Sequence, residues 1–162
     1  MKAALFMKYL HKAVDVNFDL IYSLWYNEYM KNTYKHTKTT VSLINYHFVF
    51  CPRYRRKIFL IEGLEERFKE LTLAECKKQG IDVLALECHV DHVHIFVSVL
   101  PTHSIPDIMK HIKAATSHAL RDEYPVLAPM PSLWTRSYFV STAGNVSSDT
   151  IKWYVNTQKT RP

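Results

Sequence analysis

The chain has 162 residues, 48% of them hydrophobic, which is enough for one core of ordinary size and typical of a globular protein. Its formal net charge of +6, with the histidines counted as neutral, favours a polyanionic partner. The three cysteines are widely spaced and form no C-x-x-C pair, so we expect neither a disulfide framework nor a zinc ribbon. No apolar run approaches the roughly 18 residues of a membrane span, and we expect a cytoplasmic protein with no membrane contact.

The first 33 residues differ from the rest of the chain. They are rich in Leu, Tyr and Trp, and several apolar residues have helix-like spacing: Leu20, Ile21, Leu24 and Trp25. This segment fits either an additional helix or a leader upstream of a later start at Met30, because the regular pattern begins only after Thr40. We therefore expect an N-terminal extension over residues 1–33 and a single domain over residues 34–162.

The regular pattern opens with a strand and a helix. Residues 42–51 predict a strand that ends at Pro52, because proline lacks the N–H that a sheet needs. A basic turn follows over residues 53–57. Residues 64–78 carry apolar side chains at helical spacing, and Gly80 is placed as the stop of this helix.

The middle of the chain predicts a hairpin and a second helix. Two strand-like runs, residues 81–88 and 92–100, flank a short polar connection and should pair as antiparallel strands. Ser104 can cap the next helix, which tolerates Pro106 in its first turn and should end near Tyr124. We expect its buried stripe at Ile108, Ile112, Ala115 and Ala119.

The C-terminal part completes an α+β pattern. Residues 134–141 predict the last strand, residues 143–145 a flexible turn, and residues 147–160 a final helix. This order of elements is that of a ferredoxin-like split βαβ antiparallel sheet with helices on one face and an added C-terminal helix. The second strand of the hairpin should lie centrally in that sheet.

Two histidines stand two residues apart at the start of the second hairpin strand. Because strand residues alternate between faces, His92 and His94 should share one face with Phe96. The other face would carry the aliphatic residues Val93, Ile95, Val97 and Val99. The pair fits a metal site on a sheet, and by itself it fits two surface or hydrogen-bonded histidines equally well.

A second pair of polar residues lies on the predicted final helix. Tyr154 and Gln158 are four residues apart and therefore project from one face, one turn apart. A Tyr hydroxyl can attack a phosphodiester, and a Gln carbonyl oxygen can bind a hard cation. A Tyr on an amphipathic helix more often fills a core or an interface, so this pair alone is weak.

Four sequence motifs, taken together in their order along the chain, resemble those of the single-tyrosine HUH transposases of the IS-two-hundred/IS-six-hundred-five group of insertion sequences. They are C-P-R-Y-R-R-K after the first strand, D-H-V-H-I on the hairpin, W-x-R-S-Y-F-V-S-T-x-G-N, and Y-x-x-x-Q on the last helix. The resemblance spans residues 40–158 and leaves out residues 1–33.

The resemblance implies a transposase that cleaves and rejoins single-stranded DNA at the ends of a mobile element. Tyr154 would be the nucleophile and would form a 5'-phosphotyrosine. His92, His94 and Gln158 would bind a divalent metal, Mg or Mn. The substrate would be DNA hairpins near the element ends. The protein would act as a homodimer, with Gly144 as the hinge that carries the tyrosine helix of one subunit to the histidines of the other.

The basic residues are candidates for DNA contact, although a charge run is often only a solvated surface. The family motif favours the turn, where Tyr54 could stack on an unpaired base among Arg53, Arg55, Arg56 and Lys57. Lys110 and Lys113 of the second helix are weaker candidates. Asp91 is a candidate acceptor that would orient a ligand histidine. Four further histidines are interpreted as structural or surface residues: His89, His103, His111 and His118.

Two alternatives share parts of this interpretation. A domesticated REP-associated tyrosine transposase would use the same catalytic residues on chromosomal palindromes. An inactive remnant would still bind hairpin DNA without cleaving it.

Overall fold

The computed structural model describes residues 34–143. The predictions for residues 1–33, for Gly144 and for the helix over residues 147–160, with Tyr154 and Gln158, lie outside the described residues. The chain divides into two compact units after Val41. A two-stranded sheet of β1 (Lys35–His36) and β2 (Val41–Ser42) precedes the main sheet in the chain.

The main sheet has four antiparallel strands in the order β4-β5-β3-β6. Its elements, in chain order, are β3 (Ile44–Phe50), α1 (Leu64–Lys78), β4 (Asp82–His89), β5 (His92–Val99), α2 (Ile105–Glu123) and β6 (Phe139–Ala143). This βαββαβ order confirms the predicted α+β class, and β5 is central as expected. Within residues 34–143, no helix is long and apolar enough to cross a membrane.

The core lies between one face of the sheet and the two helices. On β5 the four aliphatic residues Val93, Ile95, Val97 and Val99 are fully buried, each with 0% of its surface exposed. They join one hydrophobic cluster with Phe68 of α1 and Ile112 of α2. Phe96 belongs to a separate small cluster with Ala85, as expected for the opposite face.

The helix ends follow the local sequence signals. α1 begins at Leu64 and ends at Lys78 as predicted, and Gly80 takes a φ of +70° that other residues rarely adopt. At the start of α2 the Ser104 hydroxyl accepts a hydrogen bond from the Asp107 backbone N–H at 3.3 Å. These caps supply partners for backbone groups that a helix end leaves unpaired.

The predicted buried stripe of α2 was partly wrong. Ile108 and Ile112 are buried, but Ala115 and Ala119 are half-buried, and the stripe continues instead through Thr116 and Leu120. Thr116 can occupy the core because its hydroxyl is hydrogen-bonded there. That hydroxyl donates to the Ile112 carbonyl at 2.7 Å and accepts from Trp134 Nε1 at 3.0 Å.

The bounds of the last strand were also wrong. The sequence predicted residues 134–141, whereas β6 is Phe139–Ala143, so Ala143 ends a strand instead of opening a turn. Trp134 is buried, with 5% of its surface exposed, and its ring lies 5.1 Å from that of Phe50. Its backbone is joined to Pro52 by an isolated bridge. The stretch before β6 therefore serves the core rather than the sheet.

Replacing Thr116 with Val should lower the free energy of unfolding by about 1–3 kcal/mol, because it leaves the Trp134 indole N–H buried without its acceptor. Thr72→Val is the matched control. Thr72 is equally buried, and its hydroxyl has no hydrogen-bond partner among the described residues, so its loss should be neutral or stabilising. Urea denaturation of both variants measures the difference, and equal destabilisation would contradict this account.

Candidate functional site

The site lies on the face of the sheet opposite the helices, where β5 presents His92 and His94. The turn between β4 and β5 consists of Val90 and Asp91, and it places His89 directly across from His92. The rings of His89 and His92 are stacked, with centroids 4.5 Å apart. Cross-strand partners share a face of the sheet, so three imidazoles meet at the end of this hairpin.

The structure places His89 beside the two predicted ligands, which the sequence did not indicate. His89 had been interpreted as a structural or surface residue because it falls outside the alternation of His92 and His94 along the chain. The residue lies on a different strand, whose register brings it back to the same face. One ligand atom from each of His89, His92 and His94 lies within 4.8 Å of the others, so the three could bind a metal ion.

Contacts at the other ring nitrogens orient both predicted ligands. Asp91 Oδ1 lies 2.7 Å from His92 Nδ1, which is the contact expected of Asp91 as an orienting acceptor. On β3, His47 Nε2 lies 3.1 Å from His94 Nδ1. Metal-binding histidines commonly engage their second nitrogen in this way. Because Nδ1 is engaged in both residues, Nε2 is the nitrogen that would bind a metal, and this donor set fits a divalent ion.

The surroundings of His94 keep its imidazole neutral. Burial, together with the neighbouring His47, His92 and His89, lowers the pKa of His94 to about 4. Burial also lowers the pKa of His47. A histidine binds a metal through the lone pair of its neutral form, so His94 needs to lose no proton at neutral pH.

The basic turn reaches the site through Arg55. Its Nε donates a hydrogen bond to Asp91 Oδ2 at 2.9 Å, on the carboxylate that contacts His92 through its other oxygen. The Arg55 and His92 hydrogen bonds lower the pKa of Asp91 to about 2. Arg55 was predicted as a DNA contact, and the structure shows that it also holds the group that orients a predicted metal ligand.

The backbone of this turn is strained. Tyr54 and Arg55 have φ values of 60° and 50°, in the left-handed region that residues other than glycine rarely adopt. The contacts of Arg53 help to maintain the turn, because its guanidinium donates to the Ser132 hydroxyl and to the Tyr54 hydroxyl, each at 3.2 Å. Tyr54 has 71% of its surface exposed. Arg56 and Lys57 are also exposed.

A cleft of about 460 Å³ lies beside the histidines. Its lining includes His92, His94 and Arg55, together with Phe139, the first residue of β6, and Tyr138 just before it. Phe139 has 57% of its surface exposed. The cleft combines potential metal ligands, a fixed guanidinium and aromatic rings, which suits a phosphate group attached to an unpaired base.

The two lysines of α2 have different surroundings. Lys110 is exposed, as a DNA contact requires. The Lys113 amine instead donates hydrogen bonds to the carbonyls of Thr135 at 3.0 Å and Ser137 at 3.1 Å, and burial lowers its pKa to about 8. Lys113 therefore holds the segment that leads to Tyr138 in the cleft, and its contact with DNA stays a prediction.

The remaining histidines have the structural or surface positions that the sequence indicated. His103 Nε2 lies 2.7 Å from the Gln79 carbonyl. His118 pairs with Asp122 and has 85% of its side chain exposed. His47 is a further functional candidate that the sequence did not single out. Because strand residues alternate between faces, its position between the core residues of β3 and one residue before Phe48 could have placed it on the face opposite Phe48 and Phe50.

Comparison with known proteins identifies relatives over this same region. The family described as "Transposase IS200 like" matches residues 40–158. The ISDra2 transposase TnpA of Deinococcus radiodurans is 28% identical over 118 residues, covering 71% of this chain and 84% of that protein. The transposase for insertion sequence element IS200 of Salmonella typhimurium is 31% identical over 103 residues, covering 61% of this chain and 66% of that protein.

Two solved structures share the fold. The crystal structure of a proposed transposase from Deinococcus radiodurans matches with a TM-score of 0.64 and 27% identity, covering 76% of this chain and 97% of that one. A REP-associated tyrosine transposase bound to a REP hairpin matches with a TM-score of 0.57, covering 78% of this chain and 72% of that one. Its sequence identity is 11%, so this second match supports the fold alone.

Replacing Lys113 with Met should lower the free energy of unfolding by about 1–2 kcal/mol, because the carbonyls of Thr135 and Ser137 lose a charged donor while the apolar stem is kept. Lys110→Met on the exposed side of the same helix should change stability by less than about 0.5 kcal/mol. Chemical denaturation compares the two. A Lys113→Met variant of unchanged stability would contradict the structural role, and weaker DNA binding by that variant would support the predicted DNA contact.

Proposed function

Because the chain belongs to the family of IS200-like transposases, we propose that it cleaves and rejoins single-stranded DNA at the ends of an insertion sequence, with Tyr154 as nucleophile. The observation that carries this proposal is the cleft in which His92, His94 and Arg55 meet. A scissile phosphate there would face two metal-binding imidazoles and a guanidinium that is already held in place. The matched region also includes Tyr154 and Gln158.

The proposed reaction exchanges one phosphoester bond for another. The Tyr154 oxygen attacks the phosphorus, the bond to the 3'-oxygen breaks, and that oxygen leaves as a 3'-hydroxyl after taking up a proton. The DNA remains attached through a 5'-phosphotyrosine. In the rejoining step, a 3'-hydroxyl attacks this phosphotyrosine and releases the Tyr154 hydroxyl. Because each step conserves a phosphodiester, no nucleotide hydrolysis is required.

The residues around the cleft supply activation that tyrosine lacks. An unperturbed Tyr has a pKa of about 10 and is a poor nucleophile at neutral pH. His92, His94 and Gln158 would bind Mg or Mn, and the ion would supply Lewis-acid activation of the phosphate. Asp91 and Arg55 keep the His92 ring oriented. Gly144 would be the hinge through which the helix over residues 147–160 reaches the histidines of the other subunit in a homodimer.

DNA binding is assigned to the exposed part of the basic turn and its neighbour on α2. Tyr54 can stack on an unpaired base, and Arg56, Lys57 and Lys110 can neutralise phosphates, since all four residues are exposed. Arg53 supports Tyr54 from beneath, with its guanidinium carbon 5.0 Å from the ring centroid. We propose hairpins at the element ends as the substrate, by analogy with the relative whose structure contains a REP hairpin.

A domesticated role on chromosomal palindromes is the second candidate. It would use the same residues. The two curated relatives, at 28% and 31% identity, are both transposases of insertion sequences. The insertion-sequence assignment is therefore preferred.

The full chain, mixed with single-stranded hairpin oligonucleotides from its element ends and Mn²⁺, should form a covalent protein–DNA adduct that survives denaturing electrophoresis. Tyr154→Phe should abolish the adduct, because the attacking oxygen is missing. Tyr138→Phe, which alters a tyrosine lining the cleft, is the matched control and should retain it. An adduct that persists in Tyr154→Phe would assign the nucleophile elsewhere, and its absence from the wild type would favour a binding remnant.

Reversing charge at the exposed turn should weaken hairpin binding without disturbing the histidines. The double variant Arg56→Glu, Lys57→Glu should reduce affinity by at least about tenfold near 100 mM salt. The slope of log affinity against log salt concentration should become shallower by the amount expected for losing about two phosphate contacts. Lys78→Glu, at the end of α1, is the control and should bind as wild type does. Fluorescence anisotropy across a salt series measures the affinity of each variant and of the wild type. If the double variant and the wild type have the same salt slope, the turn does not contact phosphates.

A further inference from the structure

We propose that His89 is a third imidazole ligand of the metal bound by His92 and His94, and that it shifts the preference of the site from Mg²⁺ toward Mn²⁺ and the later first-row ions. This inference deepens the proposed function, because it concerns the same cation. It assigns a residue outside the two-histidine motif, and it concerns which metal the chain selects.

Geometry is the first support. The turn of Val90 and Asp91 makes His89 and His92 cross-strand partners, so the backbone holds their Cβ atoms on one face. Their rings are parallel within 1°, and the ring centroid of His89 lies 5.6 Å from that of His94. The three ligand atoms lie within 4.8 Å of one another, whereas tetrahedral coordination needs about 3.3 Å. Because a metal lies in the plane of each imidazole that binds it, the parallel rings of His89 and His92 cannot both point to one ion as they stand, so at least one of them must turn out of the stack on binding.

The chemistry of the donors is the second support. Mg²⁺ prefers oxygen ligands and retains several waters, so nitrogen donors contribute little to its binding. Imidazole suits Fe, Ni, Cu and Zn, and affinity for a nitrogen site rises from Mn²⁺ through Co²⁺ to Cu²⁺. Two imidazoles and the amide oxygen of Gln158 form a mixed set that suits either class of ion. A third imidazole makes nitrogen the majority donor and moves the preference toward transition metals.

All three proposed ligands belong to one hairpin. His89, His92 and His94 lie within six consecutive residues, on two strands joined by one tight turn. The hairpin alone would therefore supply three ligands, and metal binding would not need Gln158. The ion can be bound before the tyrosine arrives, and the open coordination positions remain available to the phosphate.

The test titrates the full-length protein with Co²⁺ and follows the visible absorption bands, whose intensity reports ligand number and geometry. His89→Ala should weaken Co²⁺ and Mn²⁺ binding by about 10- to 100-fold, while Mg²⁺ binding changes by less than about threefold. His118→Ala, a highly exposed histidine, is the matched control and should titrate as wild type does. Gln158→Ala should keep nearly full Co²⁺ affinity if the hairpin alone suffices.

A replacement ligand separates coordination from a structural role. His89→Cys should recover Co²⁺ binding and add a near-ultraviolet thiolate-to-cobalt band that the wild type lacks, because a cysteine can bind the ion only through its sulfur. Circular dichroism confirms that each variant is folded. If His89→Cys lacks that band and His89→Ala binds Co²⁺ as tightly as the wild type, His89 is not a metal ligand.

The same titration distinguishes failure of this inference from failure of the proposed function. If His92→Ala and His94→Ala abolish Co²⁺ binding while His89→Ala does not, the metal site stands with two histidines and His89 is excluded. If the wild type binds neither Co²⁺ nor Mn²⁺ yet still forms the Tyr154 adduct, the metal-dependent mechanism itself is wrong.

Discussion

The antiparallel register of β4, β5 and β3 is the constraint on which the rest of the structure depends. On β5 the register buries Val93, Ile95, Val97 and Val99 completely against the helices. The same alternation turns His92 and His94 to the opposite face. A slip of one residue would expose four aliphatic side chains and bury imidazoles in the core. The hydrophobic core therefore determines the position of the histidines, and the chemistry of the site is built on the most strongly specified strand of the sheet.

The charged residues near the histidines fall into three physical roles. Arg55 points to the site and pairs with Asp91, which in turn contacts His92. Exposed residues of the same turn, such as Arg56, are available to phosphates. Lys113 is a structural cation, held by backbone carbonyls of the segment that leads to β6. The strained backbone at Tyr54 and Arg55 is consistent with this division, because it lets neighbouring basic residues reach the site and the solvent.

Local signals predicted the fold well where they dominated. The bounds of α1 and the cap of α2 followed from apolar spacing, Gly80 and Ser104, which act within one helical turn. The errors occurred where a distant partner decides. Trp134 belongs to a β-prone run, yet it packs against Phe50 and donates to Thr116, so the run does not become a strand there. Thr116 is polar, and it can be buried because its hydroxyl is hydrogen-bonded to the Ile112 carbonyl and to that indole.

The sequence by itself determined the candidate residues: two histidines at strand spacing, an adjacent Asp91, and a basic turn within a family pattern that also contains Tyr154 and Gln158. Only the tertiary structure decided which other residues join them. His47 is 47 positions from His94 along the chain and contacts it at 3.1 Å, and His89 reaches the site through the register of another strand. The physical reason is that alternation along one strand is a local property, whereas contact across strands depends on pairing that the whole core enforces.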